Sequence, residues 1–289
     1  MDRSDRIETF EITVAGRRLA ARRIHPPRPN GDGATLVFLH EGLGSIGQWR
    51  DFPERLVERT GLPALLYDRW GFGGSDPLTL PRPRDYLERE AEESLPTLLD
   101  AAGIERPLLI GHSDGGSIAL LFAAAHPEVP VAAITEAAHV FVEEETLDGI
   151  REAEAVFRDK GLLDRLARYH GAKTESVFRA WTETWQRDDF RDWNMVARLG
   201  AITCPLLVMQ GAGDQYGTPL QVETIVGESA GPAEACLVPD CGHAPHLEKP
   251  EEVLNIMADY IDRIAVDACR AGEGPDHSES KISIPDAAR

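Results

Sequence analysis

Leu108-Leu109-Ile110-Gly111-His112-Ser113-Asp114-Gly115-Gly116-Ser117-Ile118-Ala119-Leu120 passes from a short continuous apolar run, through a glycine-rich turn, into sequence of helical character. An unbroken apolar run of this kind suits a strand buried on both faces of a parallel sheet. The glycines flanking Ser113 permit a turn too sharp for neighbouring side chains, which strains the serine backbone and pushes its Oγ into the open. The helix that follows points its first amides at the place where an oxyanion would form. Gly111-x-Ser113-x-Gly115 between strand and helix therefore marks Ser113 as the candidate nucleophile, against the plainer reading of a turn that happens to contain a serine.

Similar apolar runs recur at 36–39, 64–67, 131–135 and 206–209, and segments of helical period at 44–60, 83–102, 117–125 and 251–265 separate them. Strands alternating with helices predict an α/β fold, a mostly parallel sheet covered by helices. A hairpin over 7–14 and 19–24, turning at Ala15-Gly16, precedes it. The stretch 141–199 breaks the rhythm: it has no buried-strand run and carries Trp181, Trp185 and Trp193, so it is expected to be a small helical cap. The expected division is a core in two parts, 1–140 and 200–269, the cap at 141–199, and a disordered tail at 270–289 rich in glycine, proline, serine and charge.

A serine nucleophile needs a base, and the base needs an orienting acid. His243, in Val238-Pro239-Asp240-Cys241-Gly242-His243 after a strand near the end of the chain, is the expected base, with His246 as its near competitor. Asp214, at the end of a strand in Gly211-Ala212-Gly213-Asp214, is the expected acid, and Glu136, after the run 131–135, competes with it. The loop Leu39-His40-Glu41-Gly42-Leu43-Gly44-Ser45 follows an earlier strand, and Gly42 N–H is assigned with Asp114 N–H to an oxyanion hole. The same loop also reads as a helix entry capped by Ser45.

Across about residues 7–266 the chain resembles the α/β-hydrolase superfamily. The resemblance rests on Gly111 to Gly116, on Gly211 to Asp214, on Cys241-Gly242-His243, and on Tyr67-Asp68-Arg69-Trp70-Gly71-Phe72-Gly73-Gly74-Ser75, which matches the family's turn after its fourth strand. It implies the order Ser113, Asp214, His243 for the triad. Glu41 departs from the glycine that relatives commonly carry in a His-Gly-x pattern, placing a carboxylate near the site. Ser113-Asp114-Gly115-Gly116 is also similar to the elbow of the biphenyl-hydrolase-like, valacyclovir-hydrolase esterases. In those enzymes the acid after the nucleophile is thought to receive a substrate amine. Asp114 either does the same or supports the elbow through hydrogen bonds.

Taken with the residues, the resemblance implies a cofactor-free serine hydrolase that cleaves a small carboxylic ester, thioester or lactone through an acyl-enzyme on Ser113. Hydrolysis of a carbon–carbon bond, or cofactor-free dioxygenase or perhydrolase chemistry, fits the same triad, and a catalytically idle binding relative is the third class. Candidate pocket residues are Glu41, His139, Phe141, Trp181, Trp185 and Tyr216, although an aromatic stripe such as Trp181 and Trp185 also reads as packing of the cap. His40 and His112 flank the oxyanion region. No metal site and no nucleotide-phosphate or dinucleotide loop is indicated.

Composition bounds the rest. The 289 residues carry 49 Asp and Glu against 30 Lys and Arg, a formal net charge of −19. The longest basic clusters are the pairs Arg17-Arg18 and Arg22-Arg23, which argues against nucleic-acid or anionic-membrane partners and leaves a small molecule as the expected partner. Much of the acidic excess, as in Glu143-Glu144-Glu145 and the run 88–93, is expected on a solvated face. Apolar runs stop well short of the roughly 18 residues that span a bilayer, and the polar start carries no export signal, so a cytoplasmic location is expected. The four cysteines are expected as thiols, with a Cys236–Cys241 bridge as the alternative.

Overall fold

The computed structural model describes residues 3–31, 33–157 and 161–272. Its centre is one eight-stranded sheet in the order β1-β2-β4-β3-β5-β6-β7-β8. The strands are β1 (Ile7–Val14), β2 (Arg17–Ile24), β3 (Thr35–Leu39), β4 (Ala64–Tyr67), β5 (Pro107–His112), β6 (Ala132–Glu136), β7 (Leu206–Gly211) and β8 (Ala233–Val238). The β1–β2 and β2–β4 pairs are antiparallel and the others parallel. The hairpin turns at Ala15 and Gly16, both at positive φ. Cores lie on both faces: Val37, Leu39, Leu109 and Val208 point into one cluster, Leu36, Phe38, Leu108 and Met209 into the other. This two-sided burial is why the strands read as unbroken apolar runs.

Helices α1 (Phe52–Thr60), α2 (Tyr86–Arg89), α3 (Leu95–Ala102) and α4 (Asp114–Ala125) follow their strands. Two expected helices are interrupted. The segment 44–60 splits into a 3₁₀ turn, Ile46–Trp49, and α1, because Arg50 takes φ 54° and Pro53 starts a new helix. The segment 83–102 begins only at Tyr86 and passes through a π-helical turn, Glu90–Ser94, between α2 and α3. Pro96, which offers no amide and would crowd the carbonyl four residues back, sits where the regular ladder resumes. Ser45 makes no side-chain cap: its Oγ donates to Gln48 Oε1 (3.2 Å), while Asp68 accepts from Ile46 N–H at 2.7 Å.

Between β6 and β7 lie α5 (Glu144–Phe157), α6 (Leu162–His170), α7 (Thr174–Trp185) and the short α8 (Val196–Leu199). A lone backbone bridge, Phe141 to Asn194, ties the two ends of this stretch. Then come α9 (Leu220–Glu228), α10 (Pro245–Glu248) and α11 (Pro250–Gly272). Residues 270–272 of the expected tail are thus helical, and 273–289 lie outside the described residues. The acidic stretches are not simply solvated. Glu88 accepts from Trp193 Nε1 (2.9 Å), Glu92 pairs with Arg198, and Glu143 accepts from Thr218 and Gln221. Cys204, Cys236 and Cys241 are free thiols. Among the described residues no helix is long and apolar enough to cross a membrane, and no group of three or more His, Cys, Asp or Glu is arranged to hold a metal.

Candidate active site

The chain leaves β3 toward β4 on one side of the sheet, and from β5 it proceeds toward β8 on the other. The crevice at such a reversal, outside the carboxyl ends of the strands, is where α/β sheets hold ligands. The loop after β3 and the turn after β5 meet there. Ser113 sits between β5 and α4 at φ 52°, ψ −117°, a conformation that costs a non-glycine residue about 1–3 kcal/mol. The surrounding backbone over-determines it. A Cβ on Gly111 would lie 2.2 Å from Gly115 O, and one on Gly115 2.0 Å from Leu39 O. Ser113 N–H also donates to Glu136 O at 2.8 Å.

Asp214 and His243 come together after β7 and β8. His243 Nδ1 lies 2.8 Å from Asp214 Oδ1 and 3.0 Å from Oδ2. A carboxylate can only accept, so Nδ1 carries the proton and Nε2 is left as a base. Tyr216 N–H donates to Asp214 Oδ1 (2.9 Å), and the Tyr216 ring stands edge-on to the imidazole, 4.7 Å between centroids. Burial alone would raise the Asp214 pKa, but the hydrogen bond and charge of His243 outweigh it and hold the carboxyl below its usual range.

The two competitors pair with each other. Glu136 Oε2 accepts from His246 Nδ1 (2.8 Å) and from His246 N–H (3.1 Å), both side chains fully buried. Burial pushes Glu136 up, and His246 more than offsets it.

His40 and His112 hold the loops around the site. Arg69 N–H donates to His40 Nε2 (3.0 Å), so Nδ1–H donates to Glu41 O at 2.8 Å. Burial, followed by the charge of Arg69, keeps His40 well below the usual histidine pKa and therefore neutral. His112 Nε2–H donates to the carbonyl of His243 (2.7 Å), and its Nδ1 is 3.5 Å from Glu41 Oε2. Burial would lower the His112 pKa, but Glu41 and the nearby Glu136 raise it to about 9, while His112 draws Glu41 down to about 2 against its own burial. The charged pair occupies the position where a glycine was the alternative to Glu41.

This pair gives a pH signature. His112 rises from 6.5 unfolded to about 9 folded, so its contribution is complete below pH 6.5 and is lost as pH climbs through 9. The difference corresponds to about 3 kcal/mol, and the Glu41 shift reports the same attraction rather than a second one. Chemical denaturation at pH 6.5 and 9.5 is expected to show that loss, and His112→Gln to flatten it. An unchanged pH dependence in that variant would remove His112 from the account.

Asp114, half of the assigned oxyanion hole through its amide, has an almost wholly buried side chain. Its Oδ2 accepts from Tyr86 Oη (2.9 Å) and faces Arg69 Nη2 at 3.4 Å, and Tyr86 Oη in turn accepts from Trp185 Nε1 (3.0 Å). Arg69 also donates to Glu41 O (3.0 Å). Arg69 and Tyr86 thus support the elbow. Arg69 stood within the Tyr67 to Ser75 turn without an assigned role, and nothing local marked Tyr86, 28 residues from Asp114.

The two tryptophans of α7 divide their work. Trp185 is buried among Phe190, Trp193 and His139, as packing. Trp181 covers Gly42, where an added Cβ would come within 2.7 Å of its Cδ1. His139 donates from Nε2 to Tyr216 O (3.0 Å), its ring 6.0 Å from that of His243, and its buried Nδ1 has no hydrogen-bond partner among the described residues. Phe141 packs on the core beside its bridge to Asn194. His170, on α6, receives Gly73 N–H at Nδ1 (3.0 Å) and donates from Nε2 to Leu43 O (2.9 Å), fastening the helical stretch to two site loops.

Known proteins are similar to this chain. A 2-hydroxy-6-oxononadienedioate/2-hydroxy-6-oxononatrienedioate hydrolase of Paraburkholderia xenovorans is 30% identical over 262 residues, 80% of this chain and 88% of that one. The serine hydrolase BPHL of Mus musculus is 24% identical over 88% of this chain and 89% of its own. A solved serine hydrolase from Cycloclasticus zankles superposes with a TM-score of 0.73 at 18% identity, covering 89% of this chain and 98% of that one. Residues 36–256, running from β3 to beyond β8, match the alpha/beta hydrolase family, and the chain belongs to it.

Proposed function

We propose that Ser113 attacks a small carboxylic ester, thioester or lactone and carries the acyl group as a covalent intermediate. His243 Nε2 takes the serine proton and returns it to the leaving group. Asp214 holds the tautomer and stabilises the imidazolium. The amides of Gly42 and Asp114 take up the oxyanion charge, worth about 3–4 kcal/mol per donor in related chemistry. Water activated by His243 then releases the acid. The observation that carries this reading is the 2.8 Å contact between His243 Nδ1 and Asp214, on loops adjoining the strained Ser113.

Asp114 acts here as elbow support rather than as an amine receptor, because Arg69 and Tyr86 already engage its Oδ2 and its Oδ1 is buried away from any approaching group. A substrate ammonium would have to share that charge with a buried guanidinium. One second reading has its own support. A 2-hydroxy-6-oxononadienedioate, the compound named for the Paraburkholderia relative, contains no ester or amide, so its hydrolysis breaks a carbon–carbon bond beside the ketone.

A parallel assay decides between them. Aryl acetates and butyrates, amino-acid esters and acyl-homoserine lactones are compared with a chromophoric 2-hydroxy-6-oxo-dienoate. The ester reading expects kcat/KM for at least one ester or lactone to exceed that for the dienoate by 100-fold or more. The reverse ratio assigns the carbon–carbon reaction.

A further inference from the structure

Behind Asp114, on the side formed by the turn after β4 and by α2, lies a cavity of about 70 Å³ bordered by Arg17, Arg69, Arg82, Phe72, Tyr86 and Glu90. That is room for a small anion or a few waters. Its lining brings together four guanidinium groups, those of Arg17, Arg69, Arg82 and Arg89, with the carboxyl groups of Glu90 and Glu93. Arg82 is buried, and neither Nη1 nor Nη2 has a hydrogen-bond partner among the described residues. Arg69 Nε, on the same wall, is also buried and has no hydrogen-bond partner among the described residues. The guanidinium of Arg82 lies over Tyr86 (4.5 Å) and Phe72 (5.3 Å), that of Arg69 over Phe72 (4.7 Å), and that of Arg17 over Trp70 (3.6 Å). Aromatic faces hold these cations in place and satisfy none of their N–H groups.

The nearby carboxylates do not discharge them. Asp114 is committed to Arg69 and Tyr86 through Oδ2. Glu90 is raised above the ordinary carboxyl range by burial, despite the charges of Arg69, Arg82 and Arg17. Arg89 pairs with Asp85, and Glu93 is exposed at the rim. A buried guanidinium with idle donors is costly unless something accepts from it, and its planar fork matches two oxygens of one carboxylate.

We propose that this cavity is an oxyanion-binding site in which the fork of Arg82 receives a carboxylate borne on a short apolar stem, the stem lying against Phe72 and Tyr86. The carboxylate belongs either to the substrate or to a separate small acid. The site does not depend on which bond Ser113 cleaves.

Binding is measured by calorimetry and thermal unfolding on the full chain carrying Ser113→Ala, with propionate against its neutral isostere propionamide at constant ionic strength. Propionate is expected to bind saturably and, at about 100 times its Kd, to raise the unfolding midpoint by roughly 5 °C, whereas propionamide does not. Adding Arg82→Met is expected to weaken propionate at least ten-fold, and Arg82→Lys, a charge without the fork, to fall between. Equal behaviour of acid and amide in the Arg82-intact chain overturns the site, as water filling alone would produce. An unchanged propionate Kd in a folded Arg82→Met chain overturns it as well. Kinetics on the chain with Ser113 intact separate the sources. If the carboxylate is the substrate's, Arg82→Met raises KM ten-fold or more for a nitrophenyl hemi-ester of a dicarboxylic acid relative to the neutral ester of equal length. If it is a separate acid, the two KM values move together and propionate changes both.

Discussion

Ser113→Ala is expected to lower kcat for any substrate the chain hydrolyses by about 10⁶-fold, leaving the residual acceleration that binding and oxyanion donors give without a nucleophile. The size follows from the geometry. Strained backbone at φ 52°, glycines too close to neighbouring backbone to accept a methyl group, and the amide of Asp114 at the start of α4 all serve to present one oxygen. Removing that oxygen leaves the fold in place, since the hydrogen bond from Ser113 N–H to Glu136 O uses only the backbone. Two measurements check it together: turnover, and stoichiometric labelling by a fluorophosphonate read by intact mass. Unchanged labelling in the alanine variant would show that the nucleophile is elsewhere.

What the sequence made legible, and what it hid, divides by range. The inner strands could be read because burial on both faces leaves no polar alternation, and the elbow because its glycines are forced by contacts a few residues away. The helix interruptions were harder. Arg50 takes a positive φ that its residue type does not advertise, and the π-helical turn before Pro96 looks like ordinary helix in its apolar spacing. Hardest were the pairings across the chain. Asp114 could be marked by its place beside Ser113, but Arg69 and Tyr86 reach it from 45 and 28 residues away. The acidic run 88–93 read as solvated because nothing in its composition distinguishes Glu88 and Glu92, which receive Trp193 and Arg198, from glutamates facing water. Glu88 and Glu92, two of the 49 acidic residues, thus hold the 141–199 stretch to the core.

The choice of acid was open in the sequence because Glu136 and Asp214 both end strands, and the structure turns that ambiguity into a contrast of two variants. Asp214 accepts from two donors, His243 Nδ1 and Tyr216 N–H. In Asp214→Asn the carbonyl stays with the Tyr216 amide at the Oδ1 place, 2.8 Å from Nδ1, and the NH₂ takes the place of Oδ2, 3.0 Å from Nδ1. The carboxylate charge that stabilises the imidazolium is lost, and the NH₂ competes with the carbonyl for Nδ1 and favours the tautomer protonated at Nε2. That nitrogen has to accept from Ser113, and kcat is expected to fall by about 10⁴-fold with little loss of stability. Glu136→Gln removes a buried charge from His246 and from the neighbourhood of His112 without touching His243. It is expected to cost about 1–3 kcal/mol in unfolding free energy and less than ten-fold in kcat, since an acceptor oxygen remains beside His246 but the new NH₂ takes the buried place of Oε1, which has no hydrogen-bond partner among the described residues. Steady-state kinetics and denaturant unfolding on both variants give the comparison. A 10⁴-fold loss in the folded Glu136 variant, with the Asp214 variant active, would transfer the acid's role to Glu136.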